Sequence, residues 1–239
     1  MLETIGELRA LYSKLLNDVS TYEKDICTFF VQTGKEYFSS SKRLLFIGKA
    51  TNGWISEERD VEKLFDLENP YRIVNRRDQM EWVHQLEGAR DTYNTKKSAF
   101  WRLIKNVSFD FLCKEDWYNY VAWSNLFKIA PWEGGNPNSI LRQLQSDTCV
   151  SILHEELRLL KPDAIILLTS GWEALYFDSL GLSESNRNVQ KWNHYSSFYQ
   201  IHNGILFIQS VHPQGKPEQE HADCLVTILT SNFGTVGGR

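Results

Sequence analysis

Four short, mostly apolar runs constrain this chain more than anything else in it: Leu44-Leu45-Phe46-Ile47, Tyr120 to Leu126, Ala164 to Leu168, and Ile205-Leu206-Phe207-Ile208. Runs of this length without polar alternation read as strands buried on both faces, the pattern of a parallel sheet covered by helices. Gly48 stops the first, Lys161-Pro162-Asp163 opens the third, and a turn at Asn203-Gly204 leads into the fourth. Helical patterns lie around them. Leu8, Leu11, Leu15 and Val19 recur at three- and four-residue steps, and a second helix is expected through Ile26, Phe29, Phe30 and Tyr37. Another starts near Ser98, because Phe100, Leu103, Ile104 and Val107 share a face, and helix follows from Ser139 to Leu160. Helices between strands imply parallel crossovers. The expected fold is therefore α/β, a three-layer α/β/α sandwich with a central, mainly parallel four-stranded sheet. No linker or repeat interrupts the chain, so 1–239 is expected to be one domain, with 1–40 a helical extension packed on it and Gly234 to Arg239 a frayed tail.

Composition narrows the function. Of 239 residues 42% are hydrophobic, which suits a sizeable core and excludes disorder and collagen-like repeats. No run approaches the roughly 18 consecutive apolar residues of a spanning helix. The acidic stretch Met1 to Glu7 carries no basic flank and no cleavage site, so a cytoplasmic location is expected. Cys27, Cys113, Cys149 and Cys224 form no C-x-x-C pair, which argues against a zinc ribbon or disulfide framework and suits four buried thiols. With 26 basic and 30 acidic residues the net charge is −4, so any polyanion would be held by a local patch. One candidate runs from Tyr71 to Asn106, where Arg72, Arg76, Arg77, Arg90, Lys96, Lys97, Arg102 and Lys105 outnumber Asp78, Glu81, Glu87 and Asp91. A solvated helical face explains it equally well.

Open parallel sheets bind ligands beyond the carboxyl ends of their strands. The first run is followed by Gly48-Lys49-Ala50-Thr51-Asn52-Gly53-Trp54, and the second by Ser124-Asn125 with Lys128 and Pro131. The third leads to Thr169-Ser170-Gly171-Trp172, and the fourth to Gln209-Ser210-Val211-His212-Pro213-Gln214-Gly215-Lys216. Neither the G-x-x-x-x-G-K-[ST] loop nor the G-x-G-x-x-G fingerprint is present, and no serine elbow or metal-ligand cluster stands in their place. Amides, an imidazole and aromatic rings suit a planar ligand that leaves as an anion.

Taken in order, these four segments resemble the uracil-DNA glycosylase superfamily. The Gly48 to Gly53 loop matches the family's water-positioning loop. Asn125, in Trp123-Ser124-Asn125-Leu126-Phe127-Lys128-Ile129-Ala130-Pro131, matches its base-reading Asn in a form similar to the iron-sulfur branch. Leu160-Lys161-Pro162-Asp163 matches the helix end before the third strand, and His212-Pro213 the motif after the fourth. The resemblance runs from about Arg43 to Lys216. It departs where Ala50 and Thr51 stand in place of the family's usual acid or amide and proline, and where polar Gln214-Gly215-Lys216 replaces an apolar wedge.

The resemblance implies a monofunctional glycosylase that hydrolyses the N-glycosidic bond of uracil or another modified pyrimidine in DNA, for repair or for defence against phage with modified cytosines. His212 would stabilise the departing base and Asn52 would position water, with Glu57, Glu58 and Asp60 as nearby acids that could do so instead. Gly48, Ala50, Thr51, Trp54 and Asn125 would bind the base, and Ser170, Ser210, Gln214 and Lys216 the DNA. No cofactor is expected, and no iron-sulfur cluster, since the cysteines lack the required pairing. The expected partner of this monomer is DNA carrying a modified or damaged base, with no membrane. A non-catalytic binder of nucleic acid or nucleobase on the same fold is the alternative, and a nucleoside hydrolase a weaker third.

Overall fold

The computed structural model describes residues 2–52, 59–66 and 80–234. These form seven α-helices and nine strands, gathered into two compact units that are each assembled from separate stretches of chain.

The first unit takes Met1–Val31, Gly48–Arg77 and Ser124–Lys161. Its helix α1 (Leu2–Asp18) presents the expected stripe, with Leu8, Leu15 and Val19 fully buried, and packs along α5 (Ser139–Leu160). Asp18 Oδ2 accepts from Lys14 Nζ at 2.7 Å and from Thr148 Oγ1 at 2.6 Å, tying the two helices together. The short helix α2 (Val61–Leu64) is capped by Asp60, whose carboxylate accepts from Glu62 N at 2.9 Å. At the start of α5, Asn138 Oδ1 accepts from Leu141 N at 2.9 Å, which satisfies one of the amides a helix start leaves unpaired. The helix expected through Ile26 to Tyr37 does not form. Instead β1 (Ile26–Thr28) pairs antiparallel with β5 (Ile129–Pro131), Cys27 opposite Ala130. Periodicity sees only local spacing, and the partner that decides this segment lies about a hundred residues away in sequence.

The second unit takes Gln32–Ile47, Asp78–Trp123 and Pro162–Arg239. It carries a mixed sheet in the order β2-β4-β3-β6-β9-β8-β7, where β2 is Gln32–Thr33, β3 Leu44–Gly48, β4 Val121–Asn125, β6 Ala164–Leu168, β7 Asn188–Trp192, β8 Tyr195–His202 and β9 Ile205–Ser210. The last residues of β3 and β4, Gly48 and Ser124-Asn125, belong to the first unit. Strands β3, β6 and β9 pair parallel, with Phe46 opposite Ile166 and Ile166 opposite Ile208. β2 on β4, β8 on β9 and β7 on β8 pair antiparallel.

All four expected strands form, but the sheet has seven, and the expected four-stranded sheet is corrected accordingly. The added strands lack an apolar run: β2 is two residues long, and β7 and β8 are partly exposed. The passage from β6 to β9 is not a plain helical crossover either. It runs through a 3₁₀ turn, the four-residue α6 (Phe177–Leu180) and the β7–β8 hairpin. Helix α3 (Glu81–Gln85) precedes α4 (Ala99–Leu112), which starts where expected and is capped by Ser98, and α4 packs on α7 (Glu218–Phe233). Arg102 Nε donates to Glu218 Oε2 at 2.7 Å across that contact. Cys27, Cys149 and Cys224 are buried thiols, whereas Cys113, expected to be buried, is exposed at the left-handed end of α4. Among the described residues no helix is long and apolar enough to cross a membrane.

Candidate functional site

In the first unit the segments that leave β3 and β4 are joined backbone to backbone. Leu126 N donates to Gly48 O at 2.9 Å and Phe127 N to Lys49 O at 3.0 Å. Gly48 and Lys49 thus lie against the two residues that follow Asn125. Thr51 is buried with its hydroxyl against Cys27 Sγ, while Asn52 is exposed and accepts from Gly135 N through Oδ1 at 2.6 Å. Asn125 is 1% exposed, and its Nδ2 has no hydrogen-bond partner among the described residues. A buried amide group without a partner costs on the order of 1–3 kcal/mol.

Helix α5 holds the same segment from below. Gln145 brackets Ile129, accepting from its N and donating to its O, both at 2.9 Å. Lys128 N donates to Cys149 Sγ, and Lys128 Nζ reaches Glu156 Oε2 at 2.8 Å with both side chains fully buried. The surroundings are dry: burial pushes the Cys149 thiol up to about 12 and the Tyr12 phenol well above its ordinary value, with the Glu156 charge adding to both.

In the second unit the segments after β6 and β9 are stitched together by Ser170. Its N donates to Ser210 O at 3.3 Å, and its Oγ accepts from His212 N at 2.8 Å. Ser170 takes a left-handed φ of 54° and Gly171 one of 87°, a sharp turn that lifts the serine out of the sheet. Gln214 N donates to His212 Nδ1 at 3.3 Å, so the neutral ring carries its proton on Nε2 and can donate from there. The turn closes with Lys216 N on Pro213 O, and Lys216 Nζ lies over the Tyr195 ring. Phe100 stacks at 15° to the His212 ring and leads into a cluster of Trp82, Trp101 and Trp123.

Ser210, expected at DNA, is buried with its hydroxyl 2.8 Å from Ser197 Oγ and 2.7 Å from His221 Nε2. Gln214 is exposed. Trp54, Glu57 and Glu58 lie outside the described residues, as do Arg72, Arg76 and Arg77 of the basic patch, and Asp60 is occupied as the α2 cap. The structure therefore gathers Gly48, Ala50, Thr51, Asn52 and Asn125 in one unit, and Ser170, Ser210, His212, Gln214 and Lys216 in the other.

Two polar residues escaped the sequence reading, and a third, Gln209, entered it only as the first of the residues after the fourth strand. Gln145 and Glu156 stand eleven residues apart, three turns of α5, on its mostly apolar buried face, and that misfit was the available signal. Gln209, on β9, is 3% exposed with neither end of its carboxamide partnered among the described residues. No protein-family model matches the chain, and no curated protein matches it.

Proposed function

We propose that this protein is a monofunctional DNA glycosylase with a uracil-DNA glycosylase-like three-layer fold, acting on uracil or another modified pyrimidine in DNA. The buried Asn125 carboxamide, at the end of a sheet strand with its Nδ2 unpartnered among the described residues, is the observation that carries this reading. A flipped base presents a carbonyl on its Watson–Crick edge, and a pre-oriented amide in a dry setting discriminates such an edge strongly.

The chemistry follows from where charge develops. The bond from the sugar C1′ to the base breaks with its electron pair leaving on the base, and a water oxygen bonds to C1′. His212 keeps its proton and donates a hydrogen bond from Nε2–H to the base oxygen as negative charge builds there. Asn52, with one lone pair of Oδ1 already given to Gly135, orients the water with its remaining acceptor and its amide hydrogens. The proton released by the water neutralises the base, and an abasic site remains. Lys216 and Ser170 serve the phosphate backbone. Ala50 and Thr51, which carry no acid, favour the second reading, a nucleobase-binding module that does not cut.

The test is incubation of the protein with end-labelled single- and double-stranded DNA carrying uracil, and with DNA rich in modified cytosines, followed by alkali. Cleavage at the modified position that falls at least a hundredfold in Asn125→Ala and in His212→Ala is the expected result. Intact DNA on every substrate, with retained affinity for the modified strand, would replace the enzyme with the binding module.

A further inference from the structure

Lys128 and Glu156 form an ion pair in which both side chains are 0% exposed. Removing two charges from water costs several kcal/mol each, and their attraction rarely does more than break even against an apolar pair of the same volume. Stability is therefore a poor explanation for keeping them.

The contacts of the ammonium supply a better one. Its three hydrogens go to Glu156 Oε2 at 2.8 Å, Ser124 Oγ at 2.8 Å and the main-chain oxygen of Asn125 at 2.7 Å. Ser124 Oγ in turn donates to Glu156 Oε2 at 2.7 Å, which closes the ring. The amides of the two residues after Asn125 are committed elsewhere, Leu126 to Gly48 and Phe127 to Lys49. The lysine thus takes the place a backbone amide would fill in an ordinary turn. Its own backbone is anchored, with Phe29 N donating to Lys128 O at 2.7 Å and the neighbouring Ile129 bracketed by Gln145.

We infer that the buried Lys128–Glu156 pair is a positioning device, which fixes the Asn125 peptide and so the direction in which its carboxamide faces the base. The inference rests on the glycosylase reading for its functional half only. The geometric half stands on the contacts themselves. Neither residue touches substrate. An apolar pair of similar volume would fold but leave the Asn125 carbonyl buried without its donor.

The experiment compares the full-length protein with Lys128→Met/Glu156→Leu and with the neutral, hydrogen-bonding pair Lys128→Gln/Glu156→Gln. The second keeps the comparison intact if the first does not fold. Amide exchange at Leu126 and Phe127 is measured against that of strand β6. Excision of uracil from a single-stranded oligonucleotide is measured with kcat and KM separated, with and without Asn125→Ala. Exchange at Leu126 and Phe127 is expected to rise at least tenfold while β6 is unchanged. The expected kinetic result is a kcat at least tenfold lower, a KM within threefold, and no further loss when Asn125→Ala is added, because the two changes disable one element.

Unchanged exchange at these two amides overturns the inference. So do losses that multiply independently with Asn125→Ala. If the wild-type protein excises no uracil, the exchange result alone decides the positioning role, and the failure belongs to the glycosylase reading.

Discussion

Two carboxamides, Asn125 and Gln209, are buried with amide atoms that no described residue satisfies, and each stands at or beside the end of a strand. Such groups cost stability, roughly 1–3 kcal/mol for each lost partner. Gln209→Met removes both orphaned atoms at nearly constant volume. A rise in melting temperature of about 2–4 °C is expected, together with weaker binding of uracil-containing DNA. A lower melting temperature with unchanged binding would show that the amide serves the fold. His212 and Asn125 were legible in the sequence because each follows an apolar run. Gln209 follows one too, but that its carboxamide is buried without a partner among the described residues depends on its surroundings, which the run does not show.

Among the elements, β9 and α7 are joined by a polar chain inside an apolar layer. Trp192 Nε1 donates to Ser197 Oγ at 3.1 Å, Ser197 lies 2.8 Å from Ser210 Oγ, and Ser210 reaches His221 Nε2, whose ring stacks on Trp192 at 4.2 Å. Burial first, then the nearby charge of His212, pushes His221 from its ordinary value of 6.5 down to about 4. The folded protein holds this ring neutral, whereas the unfolded chain protonates it below 6.5. Its contribution is complete above pH 6.5 and is lost as pH falls towards 4, about 1.4 kcal/mol for each pH unit of that window. Thermal melts from pH 7.5 to 4.5 should therefore fall more steeply for the wild type than for His221→Gln, and parallel curves would contradict the assignment. The β7–β8 hairpin that carries Trp192 and Ser197 was missed in the sequence because β8 buries only Ser197 and Gln200 and so lacks an apolar run. The segment from Ile26 to Tyr37 was misread for a different reason. Gly34 lies so close to Asn119 that an added Cβ would fall 2.3 Å from its carbonyl carbon, a packing constraint from the far side of the chain.

At the scale of the molecule, the chain passes repeatedly between two compact units, so neither is a continuous stretch of sequence. β3 finds its parallel partner β6 only after more than a hundred intervening residues. A fragment of residues 1–161 leaves β3 without that partner. It is expected to show no cooperative thermal transition by circular dichroism, and the same holds for 162–239, which has β6 and β9 but not β3. A sharp melt from either fragment would mean that the unit boundaries do not govern folding.

The sequence by itself determined the buried strands, the helices near Leu8 to Val19, from about Ser98 and from Ser139 to Leu160, and the residues that follow each strand. These are local matters of apolar runs and helical period, written within a few neighbouring residues. Only the tertiary structure decided the seven-stranded mixed sheet, the strand at Ile26–Thr28, the exposure of Cys113, and the grip of Lys128 and Glu156 on Asn125. Each depends on partners distant in the chain. The energy of a buried charge or an unpaired amide is set by what surrounds it in space, which spacing along the chain does not encode.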